Sequence, residues 1–369
     1  MSQIANIALL GAGWWAQGWH LPHLKANPKA VIAAIVEPAK QPRSTLVSDM
    51  DSFEQLSARY NAPVFESFDA LLASPLRERL DGVLIAAPHA AHFELGVKAI
   101  NAGLHVFMEK PMTTDLVQAQ KLAAAACATD KIFMVNNTAN WRPCTRAARE
   151  MVENGDIGEV RHVCAFFAAN LGWLFNDPAN AGWVQPTQNM KGNGFGWGQF
   201  SHTMAWIFMV SGLTPTSVFA FAKGSEITGA DMYDAVTILC TNGATVSVSG
   251  VAAIPGTSKH IDNRIIGSEG MISYCGRAID GALGKSEECP GQLELTRFDG
   301  KDRVIKKFEF ENLDQEGTGP ESLNEFINGC LGEPFYQGVG AEVGLAAVAT
   351  IDAMYRSIES GKAEPTYLQ

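Results

Sequence analysis

The chain has 369 residues, of which 47% are hydrophobic and 18% charged, with a net charge of −11. That length points to two domains with a sizeable core, and the composition excludes a disordered or low-complexity chain. The acidic balance repels phosphate backbones and argues against nucleic acid as a partner.

Ile4–Leu10 reads as a buried strand, Gly11-Ala12-Gly13 as a turn, and the next stretch as a helix to about Asn27. Val31–Val36, Gly82–Ala86, His105–Met108 and Ile132–Val135 are further strands, with helices over Asp51–Tyr60, His92–Ala102 and Thr114–Ala128. Short apolar strands alternating with helices belong to a parallel sheet covered on both faces. After Arg142 a helix to about Asn154 leads into strands that no longer alternate with helices: Val160–Ala168, Ser217–Ala222, Ala235–Leu239, Thr245–Val251 and Ile261–Ile266. Asn242-Gly243 and Asp299-Gly300 read as hairpin turns, so the second sheet is expected to be largely antiparallel. Met204–Val210 is too apolar for its surroundings and reads as a buried helix; a last helix spans Glu342–Glu359 and stops at Gly361. The expected domains are 1–138 and 139–369.

No apolar run reaches the roughly 18–20 residues that span a bilayer, and Met1–Asn6 lacks the basic flank of a signal peptide. The seven cysteines are scattered with no CxxC pair, the pattern of reduced thiols rather than a disulfide framework or a zinc site. The expectation is a cytoplasmic protein with no membrane partner and no metal.

Gly11-Ala12-Gly13-Trp14-Trp15-Ala16 fits G-x-G-x-x-(G/A) between a strand and a helix. Gly11 makes the tight turn, Gly13 admits a pyrophosphate to the backbone, Ala16 keeps helix and strand close, and the helix N-terminus supplies positive dipole. Glu37, at the end of the second strand, can accept both ribose hydroxyls and repels a 2′-phosphate, so NAD is expected. Lys40 and Arg43 follow closely and can pair with a phosphate, which keeps NADP as the alternative. Trp14, Trp15 and Trp19 crowd the turn, either over the dinucleotide or as packing between helix and sheet.

Glu109-Lys110-Pro111 after a strand, and Ala87-Pro88-His89-Ala90-Ala91-His92 after the preceding one, extend the pattern. With the glycine turn, Arg142-Pro143, Gly155-Asp156-Ile157-Gly158 and Ile266-Gly267-Ser268-Glu269-Gly270, the chain resembles the glucose–fructose oxidoreductase / inositol dehydrogenase (Gfo/Idh/MocA) family over nearly its whole length. The resemblance implies an α/β protein: a Rossmann domain joined to an α/β domain with a large open, mostly antiparallel sheet that commonly mediates dimers or tetramers. It implies oxidation or reduction of one hydroxyl or carbonyl of a sugar, sugar acid or cyclitol. It also places Lys110 where nicotinamide meets substrate, Glu109 beside it, and Pro88, His89 and His92 on the nicotinamide side. A lysine there can polarise a hydroxyl or stabilise a developing alkoxide. The second catalytic residue the resemblance implies is a histidine at a helix start in the second domain, and His202 fits. The family pattern puts an aspartate four residues earlier, where this chain has Gly198, so the histidine lacks its local carboxylate.

From Val163 to Ala222 the only charged residues are Asp177 and Lys191, among many tryptophans and amides. Aromatic faces stack on sugar C–H faces, and amides serve hydroxyls as donor and acceptor. Trp173, Trp183, Asn189, Lys191 and His202 are therefore the substrate candidates, in a cleft expected between the domains. Trp206 is expected in the core. A redox-neutral, NAD-dependent glycosidase and a catalytically silent NAD-binding sensor are the alternatives to a dehydrogenase.

Overall fold

The computed structural model describes residues 4–254, 259–278, 293–298, 303–308 and 319–368, which form two compact units. The first takes the chain up to Thr113, then Val117–Asn136 and Pro320–Gly344. The second takes Thr114–Leu116, Asn137–Gly319 and the chain from Leu345 onward.

The first unit holds β1 (Ala5–Leu10), β2 (Ala30–Val36), β3 (Val64–Phe65), β4 (Gly82–Ile85), β5 (His105–Met108) and β6 (Phe133–Val135). They form one sheet in the order β3-β2-β1-β4-β5-β6, parallel throughout. This is the Rossmann order, and the strand sequence reverses direction between β1 and β4. The most apolar strands take the middle: β4 and most of β1 are buried, with hydrogen-bonded neighbours on both sides. Gly11, Glu37, Ala87, Glu109 and Asn136 all lie just past the carboxyl ends of these strands, where open α/β sheets bind ligands.

Helix Glu321–Cys330 also belongs to this unit and buries Leu323, Phe326 and Ile327. The Phe326 ring lies 5.4 Å from that of Phe107 on β5. A Cβ at Gly82 would sit 2.9 Å from the Phe326 ring, so β4 opens on glycine because the ring fills that space. A single boundary after residue 138 assigns Pro320–Gly344 to the second domain; in the structure these residues complete the first.

The second unit is built on β7 (Val160–Ala169), β8 (Pro215–Gly224), β9 (Asp231–Cys240), β10 (Thr245–Val251), β11 (Lys259–Gly267), β12 (Gly270–Ala278), β13 (Leu293–Phe298), β14 (Arg303–Phe308) and β15 (Glu364–Pro365). The sheet runs β14-β13-β12-β11-β7-β10-β9-β8-β15 and is antiparallel except where β7 meets β10. Asn242-Gly243 turns β9 into β10, with Gly243 at φ +81°; Asp299-Gly300 lies outside the described residues. The expected buried helix spans Ser201–Ser211, and every residue in it except His202 is buried. It is entered through a π-turn, Gly196–Phe200, and ends at Gly212 with φ +68°. The closing helix is Ala341–Ser360.

Among the described residues no helix is long and apolar enough to cross a membrane. Cys127, Cys144, Cys164, Cys240 and Cys330 are free thiols; Cys289 and the Cys275 side chain lie outside what is described.

Candidate active site

Past Leu10 the chain must turn within a hydrogen bond of β2 and against the end of β4. Gly11 N–H donates to Val36 O at 2.8 Å, its φ is +91°, and a Cβ there would lie 2.6 Å from Ala87 Cα. Only glycine meets both demands. At Gly13 the backbone is ordinary and an added Cβ would meet nothing within 4 Å. Packing does not require that glycine, and the open space over its backbone fits the approach of a pyrophosphate. Ala16 is fully buried, and the helix opens as a π-turn, Ala16–His20, before continuing as Leu21–Ala26. Insertions of this kind cluster at functional sites.

Glu37 follows β2 and is 8% exposed. Its Oε2 accepts Ala12 N–H and its Oε1 accepts Ala39 N–H, both at 2.9 Å. A carboxylate has about four acceptor positions, so two remain for ribose hydroxyls. Lys40 and Arg43 are exposed, and Lys40 Nζ lies 4.0 Å from Glu66 Oε1. These residues together fit a dinucleotide.

Glu109 leaves β5 into a buried network. Its Oε1 accepts Trp15 Nε1–H at 2.9 Å and Asn136 Nδ2–H at 2.7 Å, and lies 2.8 Å from His20 Nε2. Its Oε2 accepts Lys110 N–H at 3.2 Å, and Ser322 Oγ holds Asn136 Oδ1 at 2.7 Å. Burial raises the Glu109 pKa, but the His20 ring, the Asn136 amide and the Lys110 charge outweigh it and bring it down to about 2. The carboxylate is therefore ionised at neutral pH. Lys110, half-buried beside it, feels the opposite balance: desolvation pulls its ammonium pKa below the usual lysine range, and the Glu109 charge resists. A neutral amine becomes accessible nearer to neutral pH.

Trp15 and Trp19 stack with ring centroids 5.7 Å apart, and Trp14 meets Trp15 edge-on at 5.5 Å. Trp19 is 4% exposed and belongs to the packing; Trp14 and Trp15 stay half-exposed at the turn. No sequence motif marks His20 or Asn136. The signal was available: His20 is one helical turn from Ala16 and from Leu24 on a buried apolar stripe, where a polar ring needs a partner.

His92 differs from its expected place on the nicotinamide side. It is fully buried, with Nδ1 2.9 Å from Pro111 O and Nε2 2.9 Å from Ala87 O. The ring thus sits between backbone carbonyls of the loops after β4 and β5, and as a neutral imidazole it donates to one of them. His89, 5.6 Å from it ring to ring, is half-exposed. Burial first, then the charges of His92 and Lys110, push its pKa down to about 3, so it is a neutral imidazole. Pro88 is exposed.

In the second unit His202 is the one side chain of its helix that is not buried. Gly198 has an ordinary φ, and a Cβ there would come 3.4 Å from the Phe175 ring and 3.9 Å from the Trp183 ring. Trp183 thus stands over the turn that enters the His202 helix. Trp173 is 59% exposed, with Nε1–H donated to Asn170 O at 3.2 Å. Asn189 and Lys191 are exposed. Trp197 and Trp206 are core residues, bonded through Nε1 to Lys191 O at 2.8 Å and Thr145 Oγ1 at 3.2 Å.

Comparison with known proteins matches this architecture. A family model described as "Oxidoreductase family, NAD-binding Rossmann fold" matches residues 5–137, and the "GFO/IDH/MocA C-terminal domain" matches 145–273. A dTDP-3,4-didehydro-2,6-dideoxy-alpha-D-glucose 3-reductase from Actinomadura kijaniata is 32% identical over 162 residues, 44% of this chain and 45% of that protein. The chain spans about half the length or less of the curated relatives it matches. Among solved structures, the WlbA dehydrogenase from Bordetella pertussis, in complex with NADH and UDP-GlcNAcA, superposes with a TM-score of 0.73 at 18% identity, covering 100% of this chain and 99% of that one. A levoglucosan dehydrogenase in complex with NADH superposes with a TM-score of 0.74 at 17% identity, covering 99% of each. At these identities the structural likeness is one of fold.

Proposed function

Because the chain belongs to the Gfo/Idh/MocA family of oxidoreductases, we propose that it is an NAD-dependent dehydrogenase acting on one hydroxyl or carbonyl carbon of a sugar, sugar acid or cyclitol. The observation that carries the reading is Lys110: a half-buried amine of lowered pKa, next in the chain to an ionised Glu109 that accepts its backbone N–H, at the carboxyl edge of a Rossmann sheet. Bound NAD supplies the hydride acceptor, or as NADH the donor. Lys110 takes or returns the hydroxyl proton, and its charge stabilises oxygen as negative charge develops there. His202, the half-buried member of an otherwise buried helix, is the second acid–base group. Glu37, already fixed by two backbone amides, reads the ribose hydroxyls and disfavours a 2′-phosphate.

Trp173, Trp183, Asn189 and Lys191 supply the aromatic faces, amide and cation that suit a polyhydroxylated substrate. The outward face of β8 and β9 leaves Phe221, Tyr233 and Leu239 exposed, which supports a homodimer or homotetramer. The test is incubation with NAD and a panel of neutral and acidic sugars and cyclitols. Steady NADH formation with at least one is expected. Aglycone release without NADH would make the protein a glycosidase, and saturable sugar binding with no turnover would make it a sensor.

A further inference from the structure

The chain enters the His202 helix through Lys191-Gly192-Asn193-Gly194-Phe195-Gly196-Trp197-Gly198, in which every second residue is glycine. Three of these glycines lie on one buried pair: Asp231, at the start of β9, and Tyr355, on the closing helix. A Cβ on Gly192 would collide with the edge of the Tyr355 ring; one on Gly194 would lie 2.5 Å from Asp231 N, and one on Gly196 2.6 Å from Tyr355 Oη. Gly194 forms a β-bridge with Asp231. Asp231 Oδ2 accepts Gly196 N–H at 2.7 Å, and Oδ1 accepts the Tyr355 hydroxyl at 2.6 Å. Trp197 stacks on Tyr355 with centroids 6.0 Å apart, while its Nε1–H donates to Lys191 O at 2.8 Å and ties the run's start to its end.

A carboxylate only 5% exposed is an expensive way to fill space, since burying it costs several kcal/mol unless its oxygens are matched by donors. An apolar side chain packs a loop at less cost but gives it no direction. Here each oxygen of Asp231 meets a donor from a different element, which fixes the loop to within hydrogen-bond geometry. The alternate glycines let the backbone lie that close. The run carries Lys191 at one end and delivers the chain to His202 at the other.

We infer that Asp231 and Tyr355 are positioning residues for the 191–198 run, setting the backbone path that presents Lys191 and His202 to substrate. Their role in turnover rests on the reading of His202 proposed above; their hold on the loop does not. Hydrogen–deuterium exchange of the full chain separates the two. In Asp231→Asn, exchange of the peptide 190–200 should quicken about three- to tenfold, the equivalent of one weakened buried hydrogen bond. Peptides of the first unit, and the affinity for NAD titrated by tryptophan fluorescence, should stay unchanged. Substrate kinetics should show a raised KM together with a lowered kcat. Tyr355→Phe, which keeps the ring and the Trp197 stack, should give the same pattern at smaller amplitude, and it decides the matter if Asp231→Asn does not fold. Unchanged exchange over 190–200, or an equal rise in the first unit, overturns the inference. A wild type that turns over no sugar overturns the proposed function, while the exchange result still decides this one.

Discussion

Asp234 offers a test of the second unit that needs no substrate. It lies on β9 opposite Ala222 of β8 and Gly250 of β10 and is 4% exposed. Burial and the neighbouring Asp231 charge raise its pKa from 3.8 to about 9. A folded-state pKa above the unfolded one means that stability is complete below the unfolded value and is lost as pH rises towards the folded one. Between 3.8 and pH 7 the gap is roughly three units at about 1.4 kcal/mol each, so holding this proton destabilises the fold by on the order of 4 kcal/mol at pH 7. Asn is a neutral near-isostere with no proton to hold. Asp234→Asn should therefore raise the urea midpoint. The gain should be about 1–2 kcal/mol at pH 5 and grow by up to about 1.4 kcal/mol per pH unit towards pH 9. A gain independent of pH, or a loss at pH 8.5 as large as at pH 5, would show that Asp234 is ionised in the folded chain and refute the reasoning.

Lys110→Ala should lower kcat by roughly 10²–10⁴ with NAD still bound, the usual size of an acid–base contribution; a tenfold loss or less removes Lys110 from proton transfer. Glu109→Gln removes the charge that raises the Lys110 pKa, so the ascending limb of the kcat/KM–pH profile should move to lower pH, and a shift to higher pH contradicts the assignment. Glu37→Ala should weaken NAD more than NADP; a wild-type preference for NADP of about tenfold or more would mean that Lys40 or Arg43 reads the 2′-phosphate. Phe326→Ala should cost about 3–5 kcal/mol, as for a fully buried phenylalanine, and should reduce NAD affinity by loosening the sheet it packs on. A midpoint change below about 1 kcal/mol would place that ring outside the core.

The sequence was most legible where periodicity and turn chemistry agree. β5 and β10 fall on their expected residues, and Gly11 occupies the left-handed turn its motif requires. The sequence alone starts β9 at Ala235, whereas the strand begins at Asp231, because Asp231 and Asp234 resemble loop residues. In the fold they occupy inward positions of the strand, and acidic side chains on a buried face break the alternation on which strand reading depends. β3 is only two residues long and held by two backbone pairings, too short for any period to register. At the candidate site, a motif points to residues adjacent in sequence and is silent on those that packing brings in. Glu109 and Lys110 sit in a recognisable tripeptide, whereas His20 and Asn136 reach Glu109 from separate segments and Ser322 holds Asn136 from a third. The motif gives His92 an address but not the direction of its ring, which turns to the backbone carbonyls of Ala87 and Pro111.

The return of Pro320–Gly344 to the first unit bears on how the chain matures during synthesis. A nascent Rossmann half has all six strands once Val135 has emerged, yet the surface that Leu323, Phe326 and Ile327 cover stays bare until roughly two hundred more residues are made, about 10–40 s at ordinary ribosome speeds. During that interval apolar surface on the sheet faces the cell, and chaperone occupancy of the ribosome-bound chain should peak there. The second unit, inserted within that gap, becomes the segment on whose prompt folding closure of the first depends. A destabilising change on β9 or β10 would then lower the yield of a nucleotide-binding half it does not touch.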